Sequence, residues 1–423
     1  MTGSVMTQSA EWQSPSQSSV GVRASETQTA YRRTALAVPR PETGRLARRL
    51  AYAAAFSVTW NNVRVHPTLT LSDAFLAVSA ALILLQRGGK AAIGTPNRHL
   101  ATFAKVLLLG GLAGAAFSHS TDFGQVNAAR FAIAIFTILV VVDSVAFDRQ
   151  RWERLAVCYV AGALANGILA LLPSNRVLLV GRAVGLTTHP NHLGFAMLLA
   201  LWVAIGLLRS SNSRTRAVAI TSLPILCAAL LASGSRAALG AAMIGGLAFL
   251  ILARSRGVPW ILLLCLGIIP LVAGSAFGGS ITKTAAVQRF FDPTSGEAAS
   301  NGERLAYYRE ANRLISSHPI AGVGFSDALK YHSVPLQLMV IGGLFGLVAL
   351  IMLGRQVSLT LRMALRGSSS LQSRACAAGI LATMSMLMIS NSLFDRYFLM
   401  SLALWALPGF FDSADRSTVS LGE

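Results

Sequence analysis

From residue 50 onward the chain is a succession of long apolar runs separated by short polar loops. A helix needs about 20 residues to cross the ~30 Å hydrocarbon core of a bilayer. Twelve runs are candidates, at roughly 50–63, 70–86, 100–118, 125–146, 154–173, 191–208, 216–232, 237–253, 258–276, 336–354, 374–391 and 397–411. The first and last are short, and the first is interrupted by Trp60, Asn61 and Asn62. The ten-residue alternation of a membrane barrel does not occur, so the spans are expected to be helices. The pattern predicts an all-α, polytopic integral membrane protein of about twelve transmembrane helices, with the membrane domain over 46–411. Glycine and alanine within many runs allow helices to approach closely.

The polar stretches divide the rest. Residues 1–45 are rich in Ser, Thr, Gln and Arg and read as a disordered tail. Met1 is not followed by a basic region and an apolar core, so no signal peptide is expected. Residues 412–423 read as a second tail. The one long loop, about 277–335, contains a turn-rich stretch at 295–302. A helix is predicted over 303–317, with Leu305, Tyr308, Ala311, Leu314 and Ile315 at amphipathic spacing and Pro319 and Gly322 beyond its end. Such a helix could lie on the membrane–water boundary.

Composition narrows the class. Hydrophobic residues make up 53% of the 423, charged residues 13%, and mean hydropathy is +0.57. A soluble domain carries about 25% charged residues, so an ordinary soluble enzyme does not fit, nor does a polar disordered chain. The net charge of +19 could mark a nucleic-acid binder. It could equally mark basic loops that orient membrane spans. With the N-terminus placed in the cytoplasm, 23 of the 36 Lys and Arg fall on the inner side and 11 on the outer, six of these in the long loop. Orientation therefore accounts for most of the charge without nucleic acid, and both termini are expected to be cytoplasmic, with 277–335 a large extracytoplasmic loop. Cys158, Cys227, Cys265 and Cys376 all lie in apolar runs without metal-site spacing, and read as small buried hydrophobes.

Outer charge is not needed for orientation, and four outer segments carry it or stand next to it. Gly181-Arg182-Ala183-Val184-Gly185-Leu186-Thr187-Thr188-His189-Pro190-Asn191-His192 leads into the run 191–208. Asn191 could cap that helix, whose N-terminus attracts anions; the segment could also be only a capping loop. Ser233-Gly234-Ser235-Arg236 is a tight turn between two runs, with Arg236 either functional or a snorkelling arginine. Arg304, Arg309 and Arg313 share related positions on the predicted loop helix, which is either a site or a solvated basic face; His318-Pro319 and the Gly322–Gly324 pair follow. His332 stands before Leu336-Gln337 and Gly342-Gly343-Leu344-Phe345-Gly346, as a base or an interfacial histidine. Together they place arginines, whose planar forks suit phosphate, and a histidine on one face. A Walker A motif is missing. Asp143 is the only acid well inside a run, which weighs against a proton- or metal-driven carrier.

At these segments the chain resembles the O-antigen ligase and O-antigen polymerase-like superfamily of bacterial membrane glycosyltransferases, over roughly 50–411. The resemblance rests on the ordered set Arg182…Gly185…His189-Pro190-Asn191, Ser233-Gly234-Ser235-Arg236, Arg304, His318-Pro319…Gly322-Val323-Gly324 and His332…Leu336-Gln337…Gly343…Gly346. It implies transfer, outside the cytoplasmic (inner) membrane, of a saccharide from a polyprenyl diphosphate to the hydroxyl of a saccharide or glycolipid acceptor. It implies that Arg182 and Arg236, with Arg304 as a third, contact the donor diphosphate, and that His332 is the catalytic base. It implies no metal and no cofactor. Ser333 and Pro335 stand where the family usually has Asn and an aromatic, and Ile341-Gly342 where an acid often precedes the last glycine pair. Ligase and polymerase share these motifs. A transporter or flippase for a lipid-linked or anionic substrate is the alternative from another class.

Overall fold

The apolar runs fold as helices, and polar residues set where those helices begin. The computed structural model describes residues 43–66, 69–89, 93–118, 122–172, 178–179, 182–253, 297–326, 331–366, 369–390 and 392–419. The predicted tail up to residue 42, the predicted span 258–276, loop residues 277–296 and 327–330, and Cys265 lie outside the described residues.

The first elements are α1 (Arg45–Ser57), a short antiparallel pair β1 (Arg64–His66) and β2 (Leu69–Thr70), and α2 (Leu71–Gln86). Thr70 and Asp73 form a capping box at the start of α2, each satisfying a backbone N–H of the other. Next come α3 (Arg98–Ser118), α4 (Asp122–Val145) and α5 (Arg149–Leu171), whose cap is the Asp148 carboxylate. A second small hairpin, β3 (Leu178–Leu179) with β4 (Arg182–Ala183), leads into α6 (Pro190–Leu207). Then follow α7 (Ser213–Ala232), α8 (Arg236–Ala253), α9 (Glu297–Ser317), α10 (Val334–Gly342), α11 (Leu344–Leu365), α12 (Leu371–Leu387), α13 (Arg396–Trp405) and α14 (Pro408–Val419).

Among the described residues, six helices are long and apolar enough to cross a membrane: α3, α4, α5, α6, α7 and α11. The chain is a mostly helical membrane protein. Among the described residues, other predicted spans fold as shorter helices, and two are divided. The run 336–354 breaks at Gly343, whose φ of +54° is left-handed and unsuited to any residue with a side chain. A Cβ there would also approach the Pro319 carbonyl oxygen to 2.5 Å. The nine residues of α10 extend only about 14 Å. The run 397–411 divides because Pro408 cannot donate to the preceding turn and starts a new helix instead. Residues 412–419, predicted as tail, therefore belong to α14.

Helix α6 is the centre of the bundle, packed on α5, α7, α8 and α12. It is apolar all round and buried along almost its whole length, as an interior helix must be. Trp202 fills the gap left by Gly245 and Gly379 on α8 and α12. The end of the bundle opposite the start of α6 is locked by polar groups. Arg149 reaches Asp412 at 2.7 Å and the Gln372 Oε1 at 2.9 Å. Gln372 donates to Glu153, which also accepts from Ser210. Asp143, the one acid noted inside a span, accepts from the Gly94 N–H and from Asn97 at 2.7 Å. These bonds give buried polar groups the partners that low dielectric demands.

The loop helix is longer than predicted and begins at Glu297, inside the stretch read as turns. Its Ala311 is fully buried against Val323, Tyr331 and Val340, with Leu314 and Ile315 alongside, whereas Leu305 is 51% exposed. Its apolar stripe thus packs on protein.

Candidate functional site

The β3–β4 hairpin carries Arg182 onto the start of α6 and the turn between α7 and α8. The guanidinium Nε donates to the Ser233 carbonyl at 2.8 Å, and an Nη donates to Asn191 Oδ1 at 2.8 Å. Two segments singled out in the sequence are therefore in direct contact. Gly234 has φ +59°, and a Cβ on it would stand 3.0 Å from Arg182 Nε. Only glycine gives the guanidinium this seat without strain.

Two helix N-termini meet here. Gly194 in the first turn of α6 lies so close to the turn that a Cβ would come within 2.7 Å of Ser233 Oγ. Ser235 Oγ accepts from the Ala238 N–H at 3.4 Å, which caps α8, and Arg236 is that helix's first, half-buried residue. On α6 the cap is His189, not Asn191 as the sequence suggested. His189 Nδ1 accepts from the Asn191 N–H at 3.1 Å, which leaves the Asn191 side chain to hold Arg182. Exposed N–H groups and aligned peptide dipoles make both ends favourable to anions.

The histidines surround this point. Burial, then the like charges of His192, Arg182 and His332, pull the His189 pKa down to about 4. His189 is therefore neutral at physiological pH, with its remaining proton on Nε2. The His189 and His192 rings are 5.9 Å apart, and Thr188 Oγ1 lies 3.3 Å from His192 Nδ1. His332 sits in the segment before α10. Its pKa is lowered by burial first, then by Arg304, against a smaller opposite effect of Glu303. Tyr307 lies with its ring 6.4 Å away, and the Tyr308 hydroxyl donates to the His332 carbonyl at 3.4 Å. His332 is the last of the charges that act on His189, after His192 and Arg182, and Arg304 acts on His332.

The Gly322–Gly324 pair has a structural part. Both glycines have positive φ, and the Val323 and Gly324 N–H groups donate to the carbonyls of Val340 and Ile341. The Leu344 N–H donates back to Pro319 at 2.8 Å. This strap fixes the break between α10 and α11, and so the segment that carries His332. His318 stands apart, beside the Ser317 hydroxyl at 2.9 Å.

Gln337 follows Leu336 in the segment after His332. Its side chain is fully buried, and neither its Nε2 nor its Oε1 finds a hydrogen-bond partner among the described residues. Arg64, Arg130 and Arg396, which no sequence motif relates, line one cavity. An arginine inside an apolar span, Arg130, was the available signal.

Residues 217–351 match the family model described as O-Antigen ligase. The match supports the O-antigen ligase-like superfamily for this chain. It runs from α7 into α11 and contains Ser233–Arg236, Arg304 and His332, while Arg182 lies before it. The O-antigen ligase family points to a membrane glycosyltransferase-type enzyme that works with a lipid-linked glycan donor and a glycan acceptor. No curated protein matches the chain in sequence.

Proposed function

We propose that the protein transfers a saccharide from a polyprenyl diphosphate to an acceptor hydroxyl at the extracytoplasmic face of the inner membrane, as a surface-polysaccharide ligase or polymerase. The observation that carries this reading is the seating of Arg182 on the Ser233-Gly234 turn, where two helix N-termini meet. Arg182 and Arg236 hold the donor diphosphate, and Arg304 is a third contact. Arginine forks and helix dipoles stabilise the negative charge that grows on the leaving group. His332, kept neutral by burial and by Arg304, accepts the proton of the acceptor hydroxyl. The acceptor oxygen attacks the anomeric carbon, the bond from that carbon to the diphosphate oxygen breaks, and polyprenyl diphosphate leaves with the electron pair. The reaction as written needs no metal and no cofactor. Both termini are cytoplasmic, and 277–335 is the extracytoplasmic loop.

The test is Arg182→Ala and Arg236→Ala in reconstituted membranes with a lipid-linked glycan donor. Each is expected to lower transfer by about 10²-fold or more, with membrane insertion and thermal unfolding retained. Wild-type transfer in either variant overturns the diphosphate clamp. Lipid translocation without bond formation would instead identify a flippase. In a deletion strain, long lipid-linked polymer accumulates if the enzyme is a ligase, and single repeat units if it is a polymerase.

A further inference from the structure

Beside His192 the bundle holds a cavity of about 260 Å³ that none of the roles above uses. Arg64, Arg130 and Arg396 line it, together with His192 and Asp395. The segment leading into α6 and its first turn are the wall shared with the candidate site, because Thr188 and His192 line the cavity.

It gathers three guanidiniums in one place. Arg396 Nε is paired with Asp73 at 2.8 Å, and Asp73 is held in turn by the capping box of α2. Asp395 accepts from Asn61 at 3.2 Å and from the Tyr397 hydroxyl at 2.7 Å, and stands 4.0 Å from His192. Among the described residues, Asp73 and Asp395 thus already serve other donors. Arg64 and Arg396 lie near enough to Arg130 to repel it. The Arg130 Nε is buried and has no hydrogen-bond partner among the described residues. A like-charged cluster with a desolvated donor is costly unless an anion joins it.

The remaining walls suit a sugar ring. Phe394, half-buried and set edge to face at 5.7 Å on the fully buried Phe131, offers apolar surface. Asn127 and Thr70 add neutral hydrogen-bonding groups. The volume falls a little below the roughly 300–1,000 Å³ of sites for drug-sized ligands, which is room for one sugar unit.

We infer that the cavity of Arg64, Arg130 and Arg396 is a subsite for one anionic sugar unit, its carboxylate or phosphate held by the arginines and its ring packed against Phe394. The inference rests on the proposed glycosyl transfer for its substrate class. The anionic unit can come from the donor glycan or from the acceptor.

The test has a binding arm that needs no transfer. The full-length protein in nanodiscs is titrated with methyl glucuronoside, glucose 6-phosphate, methyl glucoside and inorganic phosphate. At least one anionic sugar is expected to bind about tenfold or more tighter than the neutral glucoside. Arg130→Gln, and Arg64→Gln at the exposed rim, are expected to remove that preference. Equal binding of neutral and anionic sugars, or a preference retained in both variants, overturns the inference. So does inorganic phosphate binding as tightly as the sugars. In the transfer assay, a KM raised in Arg64→Gln for an acidic donor alone assigns the subsite to the donor, and for an acidic acceptor alone to the acceptor. A KM unchanged for both overturns it. Loss of transfer in Arg182→Ala with no anion preference at Arg130 sinks this inference alone. Anion preference with full transfer in Arg182→Ala sinks only the proposed function.

Discussion

Arg182 and Ser233, 51 residues apart in sequence, are joined by a 2.8 Å hydrogen bond from the guanidinium Nε to the backbone carbonyl. The bond ties a small hairpin to the start of α8. It fixes the direction of an arginine that would otherwise sample many rotamers, and that pre-organisation is what a charge clamp requires.

Gly234 is the residue that permits the contact. Gly234→Ala is expected to cost about 1–2 kcal/mol for the left-handed backbone, and to push Arg182 out of place. Thermal unfolding should drop and glycan transfer should fall. Gly240→Ala is the control, because nothing lies within 4 Å of its Cβ position in α8. It should be neutral or slightly stabilising. Equal behaviour of the two variants would refute the role given to the turn.

His189 makes stability depend on pH. Its pKa is about 4 in the folded protein against 6.5 for a free histidine. The unfolded chain therefore binds the extra proton first, between pH 6.5 and about 4, and stability decreases as pH falls through that window. His189→Asn should flatten the slope in that window, as read by unfolding midpoints at a series of pH values. An unchanged slope would contradict the assignment.

With His332 as the base, the rate has its own pH signature. Burial and Arg304 lower its pKa, so the base stays ready at pH values where an ordinary histidine is half protonated. The acid limb of kcat/KM should lie below the usual histidine range. Arg304→Gln removes a cation and should move the limb upward. His332→Gln should abolish transfer. A limb that does not respond to Arg304 would separate the two residues.

Gln337 distinguishes structure from function. A buried amide without partners costs about 1–3 kcal/mol. Gln337→Leu should therefore raise the unfolding temperature if the amide only occupies space. It should lower transfer as well if the amide serves a bound saccharide. A more stable variant with full activity would leave Gln337 without a functional role.

Much of the helical arrangement was legible along the chain. The runs that became α2, α3, α4, α6 and α7 are continuously apolar, and that local run of hydrophobicity is enough to place them. Less legible were features set by contacts with distant segments. The break at Gly343 depends on the carbonyls of Pro319 and Ile320, which bond the Leu344 N–H. The exposure of Leu305 depends on which face of α9 meets Val323 and Val340. Asn191 looked like a cap because Asn caps well; His189 took that place, and Asn191 went to Arg182.

By itself the sequence determined the membrane class, most of the helices and the identity of the candidate residues. These follow from hydrophobicity and short-range spacing, which are properties of neighbouring residues. Tertiary structure alone decided that Arg182 rests on the Ser233 turn, that His332 lies within electrostatic reach of His189, and that Arg64, Arg130 and Arg396 share one cavity. Those three arginines come from a hairpin, the interior of α4 and the start of α13. Only the packing of helices far apart in the chain can gather such charges, because no local rule of spacing relates them.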